Sequence, residues 1–209
     1  MYSQDRSRRA RGGSGRPSRI WREKKVSIER DFRFAARRSP VMRLLGLEDC
    51  GPELRAYIAF LVPTLLAPGP QGELRTGGPV VVGIRYNESF LTVPPIPWEV
   101  VCVLSPLNAF HPNIHAGNGL CLGSIPSGFS IEPCLHLTFA ALVLQSHNCV
   151  EWEGLNPVAA AFVREHACQF PLVPTGLYEA PPAAALSGMA PEGDDFLSSV
   201  ISPLLAESP

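Results

Sequence analysis

The stretch FHPNIHAGNGLCLGSI, residues 110–125, brings an imidazole, an amide and a thiol close together in the chain. A thiol reacts as its thiolate, so local charge and access decide whether it is a nucleophile or a buried sulfur. No acidic residue occurs between Glu99 and Glu132, so no carboxylate adjacent in sequence opposes ionisation of Cys121. No Lys or Arg adjoins it to promote ionisation either. Gly119 and Gly123 leave room for a bulky partner to approach. Asn113 carries an amide N–H, a donor able to stabilise the oxyanion that forms when a nucleophile attacks an acyl group on Cys121. His111 admits two roles. It can serve as a general base, or its ring can hydrogen-bond the backbone and brace the loop. Pro112 favours the brace, because it stiffens the turn and restricts His111 to extended backbone.

Such a loop needs a folded frame. The chain has 209 residues, 45% hydrophobic and 18% charged, enough for one domain of about 150 residues with tails. With 22 Pro and 18 Gly, an irregular, loop-rich fold or unfolded ends are expected. No run of about 18 apolar residues lacks charge, Pro or Gly, so no membrane span is expected. The basic start has no apolar stretch after it, which argues against a secretory signal. Six scattered cysteines, with Cys102, Cys134 and Cys149 in apolar or mixed runs, fit a reducing, cytoplasmic compartment without a disulfide framework.

The net charge of −1 conceals an asymmetry: residues 1–25 carry +7 and the remainder −8. The arm SRRARGGSGRPSR is either a solvated leader or a segment for nucleic acid, an anionic membrane or an acidic protein surface. Lys24 and Lys25 are the only lysines, and every later basic residue is Arg.

Hydrophobic patterning divides the chain into a flexible arm (1–20), a folded domain (21–170) and an Ala/Pro-rich tail (171–209) with a short helix near 195–205. Residues 21–38 place Trp21, Ile28, Phe32, Ala35 and Ala36 on one face of a helix, ended by Ser39-Pro40. Strands are expected at 53–66, 79–86 and 98–105, joined as an antiparallel meander. Residues 106–133 are irregular, and a loop of that length inside a domain is usually functional. A helix is expected at 135–147, and another opening at Pro157 with Asn156 as its cap. The fold class is α+β, with helices on one side of an antiparallel sheet.

His111, Pro112, Asn113 and Ile114, followed by Gly119, Leu120, Cys121 and Leu122, resemble the active-site signature of ubiquitin-conjugating enzymes. The element order is similar too: a helix, a meander, the proline-rich PPIP before the strand leading to HPN, then two helices. The resemblance covers roughly residues 26–168. It implies a UBC-like fold and transthiolation: a ubiquitin-like protein arrives from an activating enzyme as a thioester on Cys121 and passes to a lysine of a protein substrate. No cofactor or metal is implied, and neither nucleic acid nor a membrane is required. By the same resemblance Asn113 is the oxyanion or loop-positioning amide, with His111 and Pro112 as structural supports. Asn156 takes the gate position, where the family often has Asp or Ser. An Asn can orient an amine but supplies no negative charge. Phe129 stands where the family commonly has Trp, and Gly123 where it has Asp. The helix at 21–38 is where that family meets its activating enzyme, so Arg30, Arg33, Arg37 and Arg38 are candidate contacts or simply a solvated face. The composition suggests a bacterial member, of the kind encoded in ubiquitin-like conjugation operons linked to antiviral defence. A core lacking lysine past Lys25 would avoid modifying itself, leaving Lys24 and Lys25 on a mobile arm as acceptors.

Three other readings compete. A non-catalytic module of the same fold would bind a ubiquitin-like protein without carrying it. A cysteine hydrolase would pair Cys121 with His111. A zinc site would use Cys134, His136, His147 and Cys149, although Cys-x-His and His-x-Cys are not the spacings of common structural sites.

Overall fold

The computed structural model describes residues 17–147 and 155–186. Most of the basic arm, Cys149 and the helix expected at 195–205 lie outside the described residues. Helix α1 spans Arg19–Arg38, capped by Ser18, whose side chain accepts from the Trp21 N–H. Trp21, Lys25, Ile28, Phe32 and Ala35 form its buried face. Ser39 closes it in extended conformation, as a residue before proline must, and its hydroxyl donates to the Leu177 carbonyl at 2.6 Å.

The sheet has five antiparallel strands in the order β1 (Met42–Asp49), β2 (Glu53–Phe60), β5 (Val80–Asn87), β6 (Val101–Ser105) and β7 (Gly119–Leu120). Strands β3 (Thr64–Leu66) and β4 (Arg75–Gly77) pair with each other as a separate ribbon. Alternate residues Leu54, Ala56, Ile58 and Phe60 meet Val80, Val82, Ile84 and Tyr86 in one core with α1 and with α2 (Ile131–Leu142). Helix α3 (Pro157–Glu165) packs Phe162 and Val163 against Leu65 and Leu144 in a second, smaller cluster. No helix among the described residues is long and apolar enough to cross a membrane.

Several elements differ from the sequence expectation, and β4 and β7 fall where no strand was expected, β7 within the segment read as irregular. Strand β1 was not expected. Gly46 interrupts its apolar alternation, and the ladder bulges there, with Leu44 facing Ile58 and Gly46 facing Tyr57. The single strand expected at 53–66 is two. The chain leaves the sheet after Phe60, before Pro63, which has no N–H to offer a ladder. Strand β6 starts at Val101 rather than residue 98, because the Glu99 N–H closes a turn onto the Ile96 carbonyl at 2.9 Å. Helix α2 runs from 131 to 142 rather than 135 to 147. Pro133 sits in its first turn, where a missing N–H costs nothing. Leu144, at φ 60°, ends it.

The two lysines are also placed differently. Both lie within α1 rather than on a mobile arm. Lys25 is buried, its ammonium 2.6 Å from Asp49 Oδ1 and 3.3 Å from the Gly51 carbonyl. That hydrogen bond holds the Asp49 carboxyl below its ordinary range. Lys24 lies 5.7 Å from the Tyr86 ring.

An aromatic stack ties α1 to the segment after Cys121. Trp21 stacks on Tyr86 at 5.9 Å and Tyr86 on Phe129 at 4.5 Å, while the Tyr86 hydroxyl donates to the Phe129 carbonyl. Gly119 is required by contact. A Cβ there would stand 2.4 Å from the Trp98 carbonyl oxygen, a backbone atom that cannot swing away. Gly119→Ala is therefore expected to lose about 1–2 kcal/mol, the usual scale of overpacking, measured by urea unfolding.

Candidate active site

The turn at residues 111–114 is built around a buried imidazole. His111 is 1% exposed, and its Nδ1 accepts the Asn113 N–H at 2.9 Å. An accepting Nδ1 has its lone pair in use, so the proton sits on Nε2. That Nε2–H faces the Ala141 carbonyl without reaching hydrogen-bond geometry. Burial pushes the ring pKa down to about 3, with the neighbouring His147 lowering it further. His111 is thus a neutral brace at ordinary pH, with no basic lone pair for catalysis. Its role as a base, and with it a Cys121–His111 hydrolase dyad, finds no support in this geometry.

Asn113 holds Cys121 twice. Its carbonyl accepts the Cys121 N–H at 2.9 Å, and its side-chain amide donates to the Cys121 carbonyl at 3.2 Å. Ile114 bridges to Leu120 beside them. Pro112 contributes its carbonyl, which accepts the Asn156 N–H at 3.1 Å. The Asn156 side chain caps α3 by accepting the Ala159 N–H at 3.1 Å. Asn156 thus joins the HPN turn to α3, and its side-chain oxygen is committed to the helix rather than to the thiol.

Cys121 is a free, half-buried thiol. It opens into a cleft of about 310 Å³ lined also by Asn113, Gly123, Leu137, Ala141 and His147. No Asp, Glu, Lys or Arg lines it among the described residues. A second depression of about 370 Å³ adjoins, sharing Leu122 and Leu137 and walled by Ile125, Phe129 and Pro133. Together they form a trough between α2 and the segment that follows Cys121.

The sequence missed the far wall of this cleft. Leu137, Ala141 and His147 come from α2 and the turn after it, and a helical reading of 135–147 carried no sign that they face the thiol. Of the residues considered for zinc, Cys134 is buried with its thiol pushed up to about 12, and His136 is exposed, edge-on to Tyr178. Among the described residues no group of three or more His, Cys, Asp or Glu is placed to hold a metal.

On α1, Arg22, Val26, Arg30, Arg33 and Arg37 are exposed at spacings of three and four, forming one basic stripe with Val26 inside it. Arg38 stands apart. It lies 4.4 Å from the Tyr178 ring and 5.1 Å from that of Phe34, with Glu132 Oε1 at 3.5 Å. It fastens the segment around Tyr178 to α1. No family model, curated protein or solved structure matches the chain.

Proposed function

We propose that the protein is a ubiquitin-conjugating-like acyltransferase on a divergent UBC-like fold, with Cys121 as the acyl carrier. The observation that carries this reading is the double hydrogen-bonded clamp between Asn113 and Cys121, which presents a half-exposed thiol at the mouth of an uncharged trough. A purely structural cysteine has no need of such a trough. An incoming acyl chain does, and an extended C-terminal tail fits between Leu122, Leu137 and Phe129.

In the first step the Cys121 thiolate attacks the thioester carbonyl on the activating enzyme, and that enzyme's thiolate leaves. In the second, a lysine amine of a target attacks the new thioester and Cys121 leaves as thiolate. Asn113 holds the Cys121 backbone in place through both steps. The composition fits a bacterial protein, and the resemblance to ubiquitin-conjugating enzymes points to a cytoplasmic conjugation system of the antiviral type. No lysine lies beyond Lys25 in the sequence, and among the described residues none lines the Cys121 cleft.

The test is incubation with ATP, the activating enzyme and the ubiquitin-like protein of the same source, resolved on non-reducing and reducing gels. A thiol-sensitive adduct on Cys121 is expected. Binding without any adduct would favour the non-catalytic module and sink the carrier reading. The basic stripe on α1 fits an acidic surface on the activating enzyme. Reversing Arg33 and Arg37 together to Glu should slow charging about tenfold while leaving the fold intact, because both are exposed. Rapid-quench charging kinetics at two salt concentrations measure this.

A further inference from the structure

Aminolysis of a thioester releases a proton from nitrogen, and among the described residues lining the Cys121 cleft an imidazole stands ready to receive it. We propose that His147 is the base that takes the proton of the attacking amine as the acyl group leaves Cys121. The proposal rests on the acyl-transfer reading above and adds a residue to it.

Three observations converge. The first is position: His147 and Cys121 line the same open cleft. The other cleft walls are the Asn113 amide, the Ser146 hydroxyl, Gly123 and apolar side chains, so among the described residues Cys121 and His147 are the groups there with a thiol or an imidazole. His111 lies behind the wall and is locked neutral by its hydrogen bond and burial.

The second is tautomer. His147 Nδ1 lies 3.1 Å from the Leu144 carbonyl oxygen, which can only accept. Nδ1 therefore carries the proton, and Nε2 keeps a basic lone pair. His111 is in the opposite state, with Nδ1 accepting. Of these two imidazoles, His147 is exposed and has the tautomer that a base requires.

The third is how His147 is held. Helix α2 ends in a Schellman arrangement: the Gln145 N–H donates to the Ala140 carbonyl at 2.8 Å and the Leu144 N–H to Ala141 at 2.9 Å. The left-handed position of this motif usually belongs to glycine, and here it is Leu144, at φ 60°. A bulky residue there carries backbone strain, a condition that persists only when the surroundings fix it and that concentrates at functional sites. The Leu144 side chain is 1% exposed and packed with Leu65, Phe162 and Val163. Burial of that side chain locks the turn, and the turn's carbonyl orients His147.

The proton balance is complete. The amine lone pair forms the C–N bond, the C–S bond breaks, and its electron pair leaves on Cys121 sulfur. The nitrogen gives its proton to His147 Nε2, and the imidazolium returns it to the thiolate. Asn156 supplies no base, since an amide is not one and its oxygen caps α3.

The test uses the full chain and a small donor, N-acetylglycylglycine as the thioester of mercaptoethanesulfonate, with acyl–Cys121 verified by peptide mapping. Free lysine is added, and acyl-lysine formation is followed by mass. His147→Ala should still be acylated on Cys121 but transfer to lysine about a hundredfold more slowly, the low end of general-base effects. Added imidazole should restore acyl-lysine formation in proportion to its concentration. Hydroxylamine, whose weakly basic nitrogen gives up its proton to water readily once the C–N bond forms, should discharge the variant nearly as fast as the wild type. The melting curve should be unchanged, because His147 is exposed. Wild-type transfer to lysine in the variant overturns the proposal, and so does equal slowing of both amines without imidazole rescue, which marks a purely structural role. Failure to acylate Cys121 in the wild type while exposed Cys168 reacts would instead overturn the carrier reading itself.

Discussion

Cys121→Ala should abolish adduct formation entirely, and Cys121→Ser should trap the modifier as an adduct that survives reducing agent. The hydroxyl of serine is a weak nucleophile that forms an oxyester, and an oxyester resists both thiols and amines far better than a thioester. Neither substitution should disturb folding. Residue 121 is half-buried at a loop, and its fixed contacts run through its backbone N–H and carbonyl to Asn113. Both variants retain those atoms. Removal of the exposed Cys168 should leave charging intact, whereas removal of Cys134 from the middle of α2 should destabilise the core without removing the carrier. The adduct is read by intact mass before and after dithiothreitol. A reducible adduct that persists in Cys121→Ala would place the carrier elsewhere and sink this assignment.

The second large effect is a loss of stability in acid that traces to His111. Its ordinary pKa is 6.5 and its folded value is about 3, because burial disfavours the charged ring. The unfolded chain therefore binds a proton that the folded chain refuses. Above pH 6.5 neither state is protonated and the stabilisation is fully present. As pH falls from there toward 3, this one site removes stability at up to about 1.4 kcal/mol per pH unit, several kcal/mol across the window. His111→Asn offers an acceptor for the Asn113 N–H but does not titrate. It should be less stable at neutral pH, through lost packing, yet show a shallower decline in acid. Urea unfolding of both proteins from pH 7 to 4 measures the difference. Parallel curves would mean that His111 ionises freely in the folded state, contrary to its burial.

Much of the frame was legible along the chain. Trp21, Ile28, Phe32 and Ala35 recur at helical spacing and do form the buried face of α1. Asn156-Pro157 reads as a cap followed by a first-turn proline, and it opens α3 as such. These are local matters, settled by periodicity and by what proline and asparagine do to the neighbouring backbone. The strand at Met42–Asp49 was hidden because its bulge at Gly46 breaks the two-residue period. The end of α2 was hidden because nothing in the residue types marks Leu144 for a left-handed turn. A glycine would have announced it.

The candidate site divides along the same line. The pairing of His111, Asn113 and Cys121 is a short-range arrangement, so the residue types in this loop and their resemblance to a known signature singled out the thiol and suggested its brace. Charge state and proximity across the fold were another matter. Lys25, grouped by sequence with a solvated basic arm, is buried against Asp49, because it falls on the same face of α1 as Trp21 and Ile28, which pack on the core. His111 became neutral through burial, which no motif records. His147 reached the cleft because Leu144 is pinned between β3 and α3, elements far from it in sequence. The sequence by itself determined which sulfur is presented and how its loop is tied. Only the tertiary structure decided which imidazole can accept a proton beside it, since that depends on burial and on the hydrogen bond each ring makes.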